Sequence, residues 1–135
     1  MDFSQLETVW APRVLGLLRI VTALLFMEHG SQKLLGIPAS DHGSPELLSL
    51  IWFAAVLELV GGFFVLIGLF TRPAAFLLSG EMAFAYWMVH APKALYPALN
   101  GGDAAVLFCF IFLYLAFKGP GAFSVDGMRR DGTFA

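Results

Sequence analysis

Arg19, His29, Lys33, Glu58 and Glu81 are the side chains of this 135-residue chain whose types could do chemistry inside a membrane. Arg19, Glu58 and Glu81 sit within long apolar runs, where an ionisable group at the bilayer centre costs from about 2.5 kcal/mol to well over 10. Groups held at that cost face a partner or a cavity. An Arg stabilises negative charge developing on a bound oxygen, and a His or carboxylate whose pKa is tuned by burial transfers a proton. Arg19, His29, Glu58 and Glu81 are therefore the candidate catalytic set. Phe26, Lys33, Phe84 and Trp87 are the candidate ligand-binding walls, since apolar surface with few polar groups describes a binding site. The same walls describe a packed bundle equally well. A buried Arg with two carboxylates also has a purely structural reading, in which the charges fix helix register.

Helices must position these groups. A membrane-crossing helix needs about 20 apolar residues, and four stretches approach that length: Val14 to Leu35, Leu47 to Phe70, Pro73 to His90 and Leu99 to Lys118. The Pro, Gly and Ser-rich segment GIPASDHGSPE separates the first two, with Ser44 expected to cap the second helix. Only Thr71 and Arg72 lie between the second and third, which makes those helices antiparallel neighbours. Asn100 is the expected cap of the last helix, and Asp103 lies in its first turn, where the macrodipole favours an anion.

A rise of about 1.5 Å per residue turns position into depth: Arg19 lies roughly 8 Å in, Glu81 roughly 12 Å, Glu58 roughly 18 Å and His29 roughly 22 Å. Arg19 and Glu81 are thus expected to pair, with Glu58 able to reach either Arg19 or the Glu28/His29 region. Arg19, Thr22, Phe26, His29 and Lys33 recur at steps of three and four, which marks the inward stripe of the first helix. Leu18, Ala23, Leu24 and Leu25 are left for lipid or tight helix contacts. Ala54, Ala55, Gly61 and Gly62 flank Glu58 and admit a close neighbour.

Composition limits the alternatives. The chain is 59% hydrophobic and 13% charged, with 14 Phe residues, against about a quarter charged in an ordinary soluble domain. The expected architecture is an all-α integral membrane four-helix bundle in a single domain, 1–135, in contact with the lipid bilayer. A net charge of −2 supplies no basic stripe for nucleic acid. Asp2 and Glu7 replace the positive region of a signal peptide, so the first span is expected to remain. With both termini on one side, Arg13, Arg72, Lys118, Arg129 and Arg130 face Lys33 and Lys93 across the membrane, and the positive-inside rule makes that side cytoplasmic. The tail is expected along the cytoplasmic interface, with its end disordered. One cysteine, Cys109, excludes dithiol exchange, which needs a second thiol to resolve the mixed disulfide. His29 and His90 end separate helices on one face and would be the ligands of a haem, but a further ligand at diagnostic spacing is missing and no metal site is assigned.

The segments RIVTALLFMEHGSQKLLG from Arg19, ELVGGFFVLIGLFTRPAAFLL from Glu58 and NGGDAAVLFCFIFLYLAFKGPGAFSVD from Asn100 resemble the DoxX family over almost the whole chain. The motif set is Arg19, His29, Lys33, Glu58, Thr71, Arg72, Asn100, Gly119, Pro120, Gly121 and Asp126. The resemblance implies a small bacterial inner-membrane protein of four helices, acting as a membrane subunit or accessory of a redox system. It further implies a link to quinone and to oxidative stress, with a protein partner in a redox complex or a homo-oligomer. Electron chemistry would need a borrowed cofactor or partner, since the chain has no nucleotide fingerprint, iron–sulfur cysteines or dithiol. A non-enzymatic scaffold is the alternative, and transport of a small solute or protons a weaker one.

Overall fold

The computed structural model describes residues 2–130, and every regular element among them is a helix. Helix α1 spans Phe3–Leu35, with a wider π turn at Leu6–Trp10. Helix α2 is Leu50–Ile67, and α3 is Thr71–Ala85, prolonged by a second π turn at Tyr86–His90. A single-turn helix α4, Pro97–Asn100, precedes α5, Asp103–Lys118. A short α6, Val125–Arg130, closes the described chain. The apolar outer band, which includes Leu18, Leu24, Leu25, Phe76 and Phe117, is the surface a bilayer covers.

Local chemistry explains where these bounds depart from the apolar runs. Apolarity begins at Val14, but α1 starts at Phe3. Its first turns carry Glu7 and Arg13, with the Arg13 guanidinium 5.5 Å from the Trp10 ring centre, an interfacial pairing that hydropathy does not register. Helix α2 begins later than Leu47 because Ser49, not Ser44, is its cap: Ser49 Oγ accepts from the Trp52 amide at 3.2 Å. It ends at Gly68, whose φ of 68° supports paired terminal bonds, Gly68 N–H to Val65 O and Leu69 N–H to Phe64 O. Asn100 does not cap α5, whose N-cap is Gly102. Its buried amide instead donates to Ala94 O and to the Tyr86 hydroxyl, and its Oδ1 accepts from Gly102 N.

The helices pack as two intimate pairs, α1 with α2 and α3 with α5, joined by a sparser α2–α3 seam. Small residues set the first pair. A methyl on Gly30 would lie 2.8 Å from Ala55 O, and one on Gly62 would lie 2.5 Å from Met27 Cγ, so both approaches need glycine. Ala23, expected at lipid or in a tight contact, is fully buried. Phe26 crosses between the pairs, with its ring edge-on to Phe108 at 5.3 Å and Phe112 at 4.8 Å. Around it, Val65, Leu78 and Leu115 are fully enclosed.

The tail is not merely laid along an interface. It folds under the bundle: Ala122 N–H donates to Pro12 O, and Asp126 N–H to Gly68 O, each at 2.8 Å. A methyl on Gly16 would fall 2.4 Å from Ala122 O, which shows how closely the tail backbone meets α1. The end of the tail, residues 131–135, lies outside the described residues.

Candidate functional site

Arg19 is fully buried, but neither Glu58 nor Glu81 is its partner. Its Nε donates to Pro120 O at 2.8 Å, Nη1 to Val65 O at 2.7 Å and also to Leu66 O, and Nη2 to Phe123 O at 2.7 Å and Ala122 O at 3.2 Å. The expected Arg19–Glu pair is therefore replaced by five carbonyls. The reason is geometric. Helix α2 ends at Ile67, level with Arg19, and its last carbonyls have no intrahelical donors. A planar guanidinium with five N–H groups meets that need together with the tail. Asp126 supplies the Coulombic counter-charge.

The same device recurs at the neighbouring helix ends. Arg72 donates to the α5 carbonyls of Ala116, Phe117 and Lys118. The Asp126 carboxylate accepts from Phe70 N at 3.0 Å and Thr71 N at 2.9 Å, which caps α3 from the tail. Phe70 and Phe123 both hold positive φ, 49° and 58°, conformations costly for residues with a Cβ. These two bonds, Asp126 to Phe70 N and Arg19 to Phe123 O, fix that backbone in place. Arg19, Arg72 and Asp126 thus form the lock that holds three helix ends, the middle of α1 and the tail together.

The remaining charges gather toward the other end, where a groove of about 1380 Å³ runs along the α2–α3 seam. Phe26, His29, Lys33, Glu58, Glu81 and Phe84 all line it. Lys33 Nζ donates to Glu58 Oε1 at 2.5 Å, with side-chain exposures of 36% and 4%. Glu58 thus reaches past His29 to the next turn of α1. Helical side chains lean toward the N-terminus of their helix, so Lys33, at the end of α1, extends back to the level of mid-α2. That lean was the signal available in the sequence for this pair. Glu58 Oε2 and both Glu81 carboxyl oxygens are buried without hydrogen-bond partners. Glu81 lies within Coulombic reach of Glu58 and Lys33, so two carboxyl groups share one ammonium.

The two histidines at the groove are oriented by backbone. His29 Nδ1 bonds Leu25 O at 2.8 Å and His90 Nδ1 bonds Asn100 O at 3.0 Å. A carbonyl only accepts, so in both rings Nδ1 carries the hydrogen and a neutral ring leaves Nε2 as a free acceptor. His29 is exposed rather than inward, and packs edge-on against Phe108. Among the described residues no group of three metal-ligating side chains forms. Trp87 is 70% exposed and does not line the groove. The structure therefore brings together His29, Lys33, Glu58, Glu81, Phe26 and Phe84, and separates Arg19 and Trp87 from them. Chemically, the groove offers apolar walls, an ammonium, and carboxyl groups able to bind or move a proton.

Known proteins add a lineage to this geometry. No solved structure matches the chain. A protein of Haemophilus influenzae named only as uncharacterized is 41% identical over 122 residues, covering 87% of this chain and 91% of the relative. The inner membrane protein YphA of Escherichia coli is 29% identical over 126 residues, covering 85% and 89%. The DoxX family profile matches residues 14–91, from the first residues of the apolar part of α1 to the π turn that ends α3. The chain belongs to the DoxX family of membrane proteins.

Proposed function

We infer that this protein is a membrane subunit or accessory of a redox system and that the α2–α3 groove binds a quinone-type, lipid-soluble ligand. The observation that carries the reading is the groove itself: apolar walls ending on Lys33, Glu58 and Glu81, with three buried carboxyl oxygens unpartnered. Buried polar atoms are ordinarily hydrogen-bonded, and exceptions in a groove suit a ligand. The sequence alone favoured Arg19 for the ring oxygens. Lys33 takes that role here, because all the hydrogen-bonding nitrogens of Arg19 are engaged by carbonyls. When bound, a quinone supplies two-electron, two-proton chemistry; Glu81 and Glu58 hold and move protons at the ring oxygens, Lys33 orients the head group, and Phe26 and Phe84 exclude water. The electrons come from a protein partner, since one cysteine and no nucleotide fingerprint leave the chain without a redox centre of its own.

The bacterial inner membrane is the proposed location, in keeping with the name of the Escherichia coli relative, with both termini cytoplasmic. Reporter fusions after Lys93 and Ala135 should behave oppositely. The scaffold reading has its own support in the lock, which assigns Arg19 to assembly rather than to a ligand. Photoaffinity labelling with an azido-quinone separates the two. Labelling of α2 and α3 residues at the groove, displaced by unlabelled quinone, supports the ligand site. Labelling spread over the outer apolar band and indifferent to competitor would leave the scaffold.

A further inference from the structure

We propose that a cleft at the tail-bearing end of the bundle binds the head group of an anionic phospholipid, with Arg72, Lys118 and Arg130 as the cations that hold its phosphate. The site is separate from the α2–α3 groove and needs no quinone. A cleft of about 980 Å³ opens where the tail folds under α1, α3 and α5, and all three cations line it. Each of the three is exposed, so its donors are open to a ligand. Arg72 gives three N–H groups to the α5 carbonyls, which leaves two of its five. Among the described residues the one ion pair is Lys33–Glu58, so no carboxylate there neutralises these cations by direct contact. Two carboxylates do share the cleft, Glu7 and Asp126. Both oxygens of Asp126 are spent on the amides of Phe70 and Thr71, and its charge is set against the buried Arg19. Glu7 alone then opposes three cations.

The position of the cleft favours a lipid over a soluble anion. Its walls are the ends of bundle helices: the start of α3 at Thr71 and Arg72, and the last turns of α5 at Tyr114 and Lys118. Such ends sit where hydrocarbon gives way to head groups. Tyr114 and Lys118 are both exposed and four residues apart, so they share one face of α5. That face carries an aromatic ring on the apolar side and an ammonium at the polar end, the order in which a phospholipid presents its chains and its phosphate. Phe70 and Phe123 also line the cleft, and both are largely exposed although their backbones hold positive φ. Backbone cost of that kind, spent on outward phenyl rings, suits an apolar contact beside the charged one. A guanidinium and an ammonium both donate to phosphate oxygens. A choline head group would add its own cation beside these three and give back part of the attraction.

Native mass spectrometry of the full-length protein in detergent, titrated with phosphatidylglycerol or with phosphatidylcholine of identical acyl chains, reads the affinity of the first lipid bound. Three cations less Glu7 leave two, and each basic charge near the head groups contributes about fivefold, so phosphatidylglycerol should bind about 25-fold more tightly. Lys118→Gln and Arg130→Gln should each reduce that preference about fivefold. Arg13→Gln removes the same charge near the same end but outside the cleft, where Arg13 lies against Trp10, and should leave the preference unchanged. Glycerol phosphate, which offers the phosphate without chains, should not displace the lipid. Equal affinities for the two lipids overturn the proposal, and this wild-type comparison decides even where a variant folds poorly. An equal loss in Arg13→Gln also overturns it, by reducing the preference to the general charge of this end. Displacement by glycerol phosphate would make the cleft a site for a soluble phosphate and overturn the lipid assignment.

Discussion

Replacing Arg19 with Leu should unfold the protein, and the loss should not be recovered by neutralising Glu58 or Glu81. Arg19 satisfies five carbonyls. Val65 O keeps a second partner in Gly68 N–H, so the substitution strands four: Leu66, Pro120, Ala122 and Phe123. At about 1 kcal/mol for each unsatisfied acceptor, the low end of the usual range, the cost is about 4 kcal/mol. That is most of the stability of a marginal domain. A lysine presents three donors from one point and no planar fork, so Arg19→Lys reaches at most three carbonyls and loses about 2 kcal/mol. Thermal unfolding of the purified protein in detergent, with abundance in the membrane fraction, measures both. Arg19→Lys should melt several degrees lower, and Arg19→Leu should be nearly absent. A stable Arg19→Leu protein, or one rescued by Glu58→Gln or Glu81→Gln, would refute the lock and restore the ion pair.

Three further outcomes follow from the geometry. Lys33→Met should destabilise by about 1–2 kcal/mol, less than for a fully buried pair because Lys33 is partly solvated, and combining it with Glu58→Gln should recover part of that loss in a double-mutant cycle of melting temperatures. Asp126→Ala removes the cap on Phe70 and Thr71 and should cost about 1–2 kcal/mol, seen as a lower melting temperature with ligand binding unchanged at the groove. Gly30→Ala places a methyl 2.8 Å from Ala55 O, a backbone atom that cannot yield cheaply, so it should destabilise by about 1–3 kcal/mol and loosen the Lys33–Glu58 contact one turn away.

Much of the fold is written in apolarity and spacing. The two-residue link at Thr71 and Arg72 dictates antiparallel α2 and α3, and the stripe of Arg19, Thr22 and Phe26 does turn inward. The stripe fails at His29 because the last turns of α1 emerge beside a groove rather than a core. Helix ends are less legible, since capping is a three-dimensional property: Ser44 and Ser49 look alike in sequence, and the extended backbone of Ser49 with its bond from Trp52 N is what makes it the cap. The role of Arg19 was hidden for a related reason. Depth counting registers side-chain charges but not the carbonyls at the end of a helix, and those outnumbered the carboxylates within reach. The tail supplied three of the five acceptors from more than 100 positions away, a separation at which local pattern has nothing to say. Glu58 and Glu81 were visible as costly charges from the start. That the two residues line a groove follows from the sparse α2–α3 seam, which apolar sequence does not encode.

The most direct test of the groove as a ligand site is mass spectrometry of the lipids and quinones extracted with purified protein, comparing wild type with Gly80→Leu. Gly80 lies on the groove wall and a Cβ there would meet no neighbouring atom within 4 Å, so a leucine at this position should extend into the groove and leave the helix pairs in place. A quinone-type molecule retained near one per protein in the wild type, and depleted in Gly80→Leu at equal yield and melting temperature, is the expected result. Wild type carrying no quinone above the level of the surrounding lipid, or equal amounts in both proteins, would contradict it.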